Sequence, residues 1–251
     1  LVESLAATRG LDTVALTTNG LLLARHARAL KAAGLSQLNV SLDTLRPERF
    51  ARIALRDAHR AVREGIDAAL DAGLAPVKIN VVVLEGINDD EILDFVELAR
   101  DKPFSVRFIE YMRFSCNRRR DARLVPYAAM KHRIEERYGL EPVAAPRAGA
   151  PVAREFRIEG FAGTIGFITP VSSRFCAGCN RLRLMADGSL KTCLFVSPAA
   201  SVRGALRGGA PDAEIERLIG LLANTVILRT ELSGSLTGRE LLRRVRRTTL
   251  E

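Results

Sequence analysis

The sequence predicts an α/β fold of parallel strands flanked by helices, followed by a smaller β-rich C-terminal extension. Over roughly the first two-thirds of the chain, short β-branched runs alternate with longer helical patterns, which is typical of a parallel sheet. The stretch from Ala144 to Val152 is rich in Ala, Pro and Gly and is typical of a linker. Beyond it, strand-like runs at 154–158 and 163–169 have no helical pattern between them. We therefore expect two domains, residues 1–143 and residues 153–251.

The elements of the first domain are bounded by recognisable turn and cap residues. The first strand ends at Thr18-Asn19-Gly20, and Gly34 and Gly73 close the first two helices. Asp89 and Asp90 suit the N-terminus of a third helix, because its dipole favours negative charge there. Strands are predicted at 14–17, 38–41, 77–83 and 105–110, and helices at 22–33, 59–72, after residue 90, and at 127–138, 202–206 and 212–222.

Parallel α/β folds bind their ligands at the C-terminal ends of the strands. The residues at these ends are Thr17 to Gly20, Ser41 to Asp43, and the loop after Glu110 with Met112. Ordinary turn chemistry would explain each of them equally well, so their role stays open. Lys78 stands inside the apolar run VKINVVV, where an inward-facing ammonium would need an anion beside it. The alternative is that Lys78 extends sideways to solvent near the start of its strand.

Three cysteines in the extension have the spacing of a metal centre. Cys176 and Cys179 are separated by two residues, so their thiolates can reach one metal from a single tight turn. A strand-like run at 181–185 and the turn signal Asp187-Gly188 predict a hairpin. The returning strand of this hairpin would carry Cys193 back towards the first pair.

A site with three thiolates leaves one coordination position open, which a centre that binds its substrate requires. Iron–sulfur clusters usually take four thiolates, so three would leave one iron atom free for an outside ligand. Spacing alone does not separate an iron–sulfur cluster from zinc. A closed structural zinc site with Cys116 or a histidine as the fourth ligand is the alternative.

Two arginines follow the cysteine pair on the same predicted strand. Arg181 and Arg183 are two residues apart, so they point to one face while Leu182 and Leu184 point to the other. Two guanidinium groups beside an open metal site suit an anionic substrate that carries phosphate. A solvated strand face is the alternative.

The composition narrows the class of protein. The 251 residues are 47% hydrophobic and carry a net charge of +9, which allows a large core and favours anionic partners such as nucleotides. Aromatic residues make up only 5% and tryptophan is absent, so we expect no nucleic-acid partner. No apolar run approaches about 18 residues and no signal peptide is recognisable, so we expect a cytoplasmic protein with no membrane partner. Four cysteines in a chain of this length do not make a disulfide scaffold.

The longer motifs resemble a known family. They are similar to those of the radical S-adenosylmethionine GTP 3',8-cyclases, which catalyse the first step of molybdenum-cofactor synthesis. The matching segments are TTNG, NVSLD, KINVVV with GIND, RFIEYM and GFITPVSSRFCAGCNRLRLMADGSLKTCLF. The resemblance runs from about Val14 to about Leu222, and its most specific part is the cysteine hairpin with the preceding TPVSS.

This resemblance implies an incomplete TIM-like barrel, whose C-terminal extension carries an auxiliary [4Fe-4S] cluster. That cluster would be held by Cys176, Cys179 and Cys193, with its open iron facing the guanine of GTP. Arg107 would serve phosphate or S-adenosylmethionine, and Cys116 matches no cluster ligand of the family. The resemblance assigns GTP binding to Thr17, Lys78, Arg181, Leu182 and Arg183, and S-adenosylmethionine binding to Ser41 and Met112.

The implied activity is a lyase-type cyclisation of GTP to 3',8-cyclo-7,8-dihydro-GTP. In the family, a 5'-deoxyadenosyl radical takes the 3' hydrogen of the ribose, and the resulting carbon radical attacks C8 of guanine. The family's CxxxCxxC and GGEP motifs would lie before Leu1, so we expect a second [4Fe-4S] cluster only there and no turnover by this chain alone. The last ~25 residues do not resemble the Gly-Gly ending of the family.

Two alternatives to the cyclase stay open. One is a peptide-modifying radical S-adenosylmethionine enzyme with an auxiliary cluster, although the paired arginines favour a nucleotide. The other is a non-catalytic nucleotide- or metal-binding remnant. We expect GTP as the partner and leave a homodimer open, and the sequence does not identify the next enzyme of the pathway.

Overall fold

The structure, a computed structural model, describes residues 1–113, 123–144, 152–173, 181–198 and 200–209. These residues belong to two compact units. The first unit holds the described residues between 13 and 173, and the second holds residues 1–12 with the described residues from 181 onwards.

The first unit is built on a seven-stranded sheet with the order β1-β2-β3-β4-β7-β6-β5. Neighbours from β1 to β4, and then β4 and β7, pair in parallel, while β6 and β5 add an antiparallel edge. This confirms a mixed α/β fold with a mainly parallel sheet. The strands are β1 (Ala15–Thr18), β2 (Gln37–Ser41), β3 (Val77–Val83), β4 (Phe104–Glu110), β5 (Glu141–Pro142), β6 (Arg154–Arg157) and β7 (Thr164–Ile168).

Helices connect the parallel strands. The described helices of the first unit are α2 (Leu23–Ala32), α3 (Pro47–Ala54), α4 (His59–Asp71), α5 (Ile92–Asp101) and α6 (Tyr127–Glu135), with a 3₁₀ turn at Asp89–Glu91, and α1 (Val2–Ala6) lies in the second unit. Sequence reasoning missed α1 and α3, although Pro47 at the first turn of α3 is a helix-start signal. The other helices lie within a few residues of their predicted bounds.

The sheet buries one face under the helices. In β3, Val77, Ile79, Val81 and Val83 are buried, while the residues between them are partly exposed. Because successive side chains of a strand point to opposite faces, the polar residues of β3 lie on the face opposite this apolar core. Aromatic rings continue the core. The ring centroid of Phe108 lies 6.4 Å from that of Phe95 on α5 and 6.0 Å from that of Phe167 on β7.

The strands after the expected linker pair with the main sheet. The sequence assigned the runs at 154–158 and 163–169 to the extension, but β7 pairs in parallel with β4 and β6 pairs with β7. The apolar residues of β7 explain this, since Ile165 and Phe167 are buried in the shared core. The functional division into residues 1–143 and 153–251 stays a prediction.

The second unit contains the hairpin predicted from the turn signal at Asp187-Gly188. Its sheet has the order β10-β9-β8 and is antiparallel. The elements are β8 (Arg183–Leu184), β9 (Ser189–Lys191), β10 (Ala200–Ser201) and α7 (Arg203–Arg207). β8 is shorter than the predicted strand at 181–185, because Met185 already belongs to the turn and its carbonyl accepts the Gly188 N–H at 2.9 Å.

Some predicted segments lie outside the described residues. They are Cys176, Cys179, Cys116, most of the expected linker, and the helix predicted at 212–222. Among the helices that the structure describes, none is long and apolar enough to cross a membrane.

Candidate active site

A row of polar side chains crosses the first unit on the face opposite its apolar core. Thr17 of β1 is paired in register with Asn39 of β2, which is paired with Lys78 of β3. Lys78 is in turn paired with Ser105 of β4, and Ser105 with Thr164 of β7. Because register partners share a face, the sheet brings Thr17 and Lys78, 61 positions apart in the sequence numbering, into one row.

A second polar row lies one step nearer the C-terminal ends of the strands. Ser41 is paired with Asn80, Asn80 with Arg107, and Arg107 with Gly166. Successive residues on one face of a strand are two apart, so this row is adjacent to the first. Thr17 and Lys78, which the resemblance assigned to GTP, therefore lie one row from Ser41, which it assigned to S-adenosylmethionine, on the same face of the sheet.

Lys78 has a specific polar partner. It is half-buried, and its Nζ donates a hydrogen bond to Oε1 of Gln37 on β2. Burial lowers the pKa of Lys78, the nearby charge of Arg107 lowers it further, and Glu155 acts in the opposite direction. The described contacts thus give Lys78 a neutral partner, and an anionic ligand would restore the stability of its charged form.

Arg107 is held across the sheet by an acidic partner. Its guanidinium forms an ion pair with Glu155 on β6, and its Nε donates to Oγ of Ser105 at 3.2 Å. Only 14% of the Arg107 side chain is exposed. Gly166 lies between the two partners, and a Cβ there would come within 3.1 Å of the Arg107 Cγ.

A cleft opens beside this polar cluster, at the amino-terminal ends of β3, β4 and β7. Its volume is about 220 Å³, and Lys78, Ser105, Glu155 and Thr164 contribute its polar side chains. The cleft therefore adjoins the first polar row, on the side away from Ser41.

Hydrogen bonds from buried polar groups connect the loops at the C-terminal ends of the strands. Asp43 accepts a hydrogen bond from the Val82 N–H at 2.9 Å, while burial raises the pKa of Asp43. Asn88 donates to the backbone oxygens of Asp43 at 2.6 Å and Val82 at 2.9 Å. These bonds make Asp43 and Asn88 structural and fix the strand ends next to Ser41, which itself is exposed.

Glu110 at the end of β4 is a residue whose importance sequence reasoning missed. It is fully buried, and it accepts hydrogen bonds from the backbone N–H groups of Tyr127, Val171 and Ser172, each at 2.9 Å, and from the Ser172 hydroxyl. Burial opposes its ionisation, but the bonds from Ser172, Val171 and Tyr127 outweigh burial and lower the pKa of Glu110. It lies two residues before Met112, which is half-buried.

In the second unit, the hairpin presents a free thiol beside the two arginines. Cys193 is a free cysteine, half-buried, whose Sγ accepts the Phe195 N–H at 3.5 Å. Arg183 is paired with Lys191 in an antiparallel register, so Arg181 and Cys193 each lie two residues beyond that pair. β9 ends at Lys191, and Cys193 lies two residues further on in a bend, outside the registered strand pairing. Arg181, Leu182 and Arg183 are all half-buried.

The turn of this hairpin is fixed by its own side chains. Asp187 Oδ1 accepts the Ser189 N–H at 2.9 Å and the Ser189 hydroxyl at 2.6 Å, and these bonds lower the pKa of Asp187. Gly188 has a φ of +83°, which favours glycine, and packs against Arg203, to whose Cβ an added Cβ would come within 2.7 Å.

The comparisons with known proteins first define the class. Residues 1–99 match the family model of the Radical SAM superfamily. Residues 104–228 match the model named Molybdenum Cofactor Synthesis C. The chain is therefore a radical S-adenosylmethionine protein, a class that implies S-adenosylmethionine and a [4Fe-4S] cluster.

Curated relatives then define the family. The chain is 47% identical to the GTP 3',8-cyclase of Moorella thermoacetica over 91% of its length and 70% of that protein. It is 46% identical to the mitochondrial GTP 3',8-cyclase of Arabidopsis thaliana, covering 86% of this chain and 55% of that protein. It is 47% identical to Molybdenum cofactor biosynthesis protein 1 of Mus musculus, covering 88% of this chain and 34% of that protein. The chain belongs to this family of GTP 3',8-cyclases and molybdenum cofactor biosynthesis proteins.

Proposed function

We propose that this chain carries the substrate-binding part of a lyase-type GTP 3',8-cyclase, which converts GTP to 3',8-cyclo-7,8-dihydro-GTP in molybdenum cofactor biosynthesis. The observation that carries the proposal is the pair of adjacent polar rows on one face of the sheet. The first row contains Thr17 and Lys78, and the second contains Ser41 and Arg107. A nucleotide and S-adenosylmethionine bound to these rows would lie next to each other, as hydrogen transfer between them requires.

The polar face would line the interior of an incomplete TIM-like barrel. Five parallel strands with the apolar core on one face support this architecture. In such a barrel, Ser41 and Met112 at the strand ends would contact S-adenosylmethionine. Thr17 and Lys78 would contact GTP from deeper in the sheet, where Lys78 supplies a charge for phosphate.

The hairpin of the second unit carries the other residues assigned to GTP. Arg181 and Arg183 would bind the triphosphate through their guanidinium groups, with Leu182 between them contributing a backbone contact. Cys193, which follows the hairpin strand β9 by two residues, would be the third ligand of an auxiliary [4Fe-4S] cluster; its sulfur is free and accepts a backbone N–H. Cys176 and Cys179 would be the other two ligands.

The cofactors supply radical chemistry when bound, and the chain supplies positioning and charge. The role of its residues is to hold the ribose and guanine of GTP in a fixed orientation and to exclude water. Arg107, which is paired with Glu155, would supply positive charge to the phosphate of GTP or to the carboxylate of S-adenosylmethionine.

Arg183→Ala tests this assignment. After anaerobic reconstitution with iron and sulfide, we expect the variant to bind GTP about tenfold more weakly, because one phosphate contact is lost, while its iron content stays unchanged. Arg207→Ala, at an exposed position of α7, is the matched control and should change neither quantity. Loss of iron in Arg183→Ala would make the residue structural, and preference for a peptide library over GTP in the unaltered chain would reject the cyclase.

A further inference from the structure

Lys78 lies between two side chains of the first unit that could accept its proton. On one side, its Nζ donates a hydrogen bond to Oε1 of Gln37, the first residue of β2. On the other side, Lys78 and Glu155 line the same cleft of about 220 Å³, which Gln37 does not line. In the order of the sheet, β2 and β6 lie on opposite sides of β3, so the bond to Gln37 directs the ammonium away from Glu155.

Glu155 would attract the ammonium more strongly than Gln37 does. An ammonium and a carboxylate are both charged, whereas the amide oxygen of Gln37 is neutral. Glu155 lies within reach of this part of the sheet, because its Oε1 is 3.4 Å from Oγ of Ser105, the register partner of Lys78. In the described structure, Glu155 is nevertheless paired with Arg107, and Lys78 is bonded to the neutral amide.

We propose that Gln37 is a positioning residue for Lys78, which holds the ammonium on the β2 side of β3 and apart from Glu155. The cleft then stays open, and the charge of Lys78 stays available to an anionic ligand. A neutral acceptor suits this role, because it orients the ammonium without cancelling its charge. The identity of the anion as the phosphate of GTP rests on the proposed function, whereas the position of Lys78 does not.

Gln37→Met tests the position of Lys78 without any ligand, because it replaces the amide with a side chain of similar length that is only a weak acceptor. Burial and then Arg107 lower the pKa of Lys78, and Glu155 opposes them. If Lys78 moves to Glu155 in the variant, the pKa of Lys78 should rise, because the carboxylate favours the charged amine. Loss of the hydrogen bond alone would lower this pKa. NMR of isotopically labelled lysine, assigned with Lys78→Arg, measures it, and an unchanged or lower pKa would overturn the proposal.

Calorimetry of the anaerobically reconstituted chain at neutral pH tests the consequence for GTP. Gln37→Met should bind GTP about three- to fivefold more weakly, because the pair between Lys78 and Glu155 competes with phosphate. In a Glu155→Gln background, Gln37→Met should cause no such loss, since no carboxylate remains to hold Lys78. Ser36→Ala is the matched control, because its hydroxyl bonds to the backbone N–H and carbonyl of Val14 at 2.9 and 3.0 Å, and it should change neither the affinity nor the pKa.

The two measurements separate this inference from the proposed function. An equal loss of GTP affinity with and without Glu155 would overturn the positioning role, even though GTP still binds. An unaltered chain that does not bind GTP would overturn the proposed function, while a raised pKa of Lys78 in ligand-free Gln37→Met would still support the role of Gln37.

Discussion

Arg107 and Glu155 form an ion pair that spans β7, passing over Gly166. The pair lies on the polar face of the sheet, next to Lys78, whose pKa is lowered chiefly by burial and then by Arg107. Glu155 therefore does two things on this face: it orients Arg107, and it cancels part of the positive charge that a phosphate ligand would meet.

Glu155→Gln should strengthen the binding of GTP. Removing the negative charge leaves Arg107 and Lys78 without a competing anion, and we expect a gain on the order of 1 kcal/mol, or severalfold in affinity, measured by calorimetry. Guanosine, which has no phosphate, is the control ligand and should bind equally to both proteins. Weaker GTP binding in Glu155→Gln would mean that the orientation of Arg107 matters more than the charge balance.

Lys78 should make GTP binding sensitive to alkaline pH. The protonated amine attracts phosphate, and its pKa is lowered, so the attraction is lost as the pH rises through a value below the ordinary lysine pKa of about 10.4. The affinity for GTP should therefore begin to fall at a lower pH than it would if Lys78 had an ordinary lysine pKa. An arginine at this position stays charged over this pH range, so the affinity of the Lys78→Arg protein for GTP should fall less as the pH rises.

The comparison with Lys78→Arg also separates the ionisation of Lys78 from the ionisation of the nucleotide itself. Ionisation of the nucleotide affects both proteins equally, so the difference between their affinities at each pH reports Lys78. Identical pH profiles for the two proteins would show that Lys78 does not contact phosphate.

The fold could be predicted from sequence wherever the pattern was long and regular. The β-branched run predicted β3, and the glycines that follow α2 and α4 predicted where these helices end, each to within a few residues. The position of β6 and β7 could not be predicted in the same way, because pairing between distant strands leaves no local signal. Only the burial of Ile165 and Phe167 against the shared core explains why β7 pairs with β4.

The candidate site was predictable in its residue types and not in its supporting contacts. Thr17 and Lys78 were recognised through motifs, and the register of the sheet brings them together. Glu155 and Glu110 were missed, since an isolated acidic residue in a strand resembles a solvated one. Their partners, Arg107 and Ser172, are 48 and 62 residues away, beyond the reach of any local pattern.

Glu91→Ala should severely destabilise the first unit. The side chain is fully buried and bonds to Thr44, Leu45 and Arg49, so its removal leaves the Thr44 hydroxyl and the Leu45 N–H without their acceptor and takes one of its two carboxylate partners from Arg49. We expect the free energy of unfolding to fall by about 3–5 kcal/mol, measured by urea denaturation. Arg60→Ala removes an exposed ion pair with Glu64 and is the control, for which we expect no resolvable change. Comparable effects of the two substitutions would contradict a buried network around Glu91.

Two glycines of the second unit should respond to alanine with opposite signs. Gly188 has a φ of +83°, and an added Cβ would come within 2.7 Å of Arg203 Cβ, so Gly188→Ala should destabilise the hairpin by about 1–3 kcal/mol. Gly204 lies in α7 with no atom within 4 Å of an added Cβ, so Gly204→Ala should be neutral or stabilise the helix by up to about 1 kcal/mol.

The measurement for this pair of variants is denaturant unfolding together with iron retention after reconstitution. Because the turn at Gly188 aligns Lys191 with Arg183, and Cys193 follows Lys191 by two residues, distortion of the turn should also shift Cys193. Gly188→Ala is therefore expected to lose iron as well as stability, while Gly204→Ala keeps both. Full iron retention in a destabilised Gly188→Ala protein would show that Cys193 is held independently of the hairpin turn.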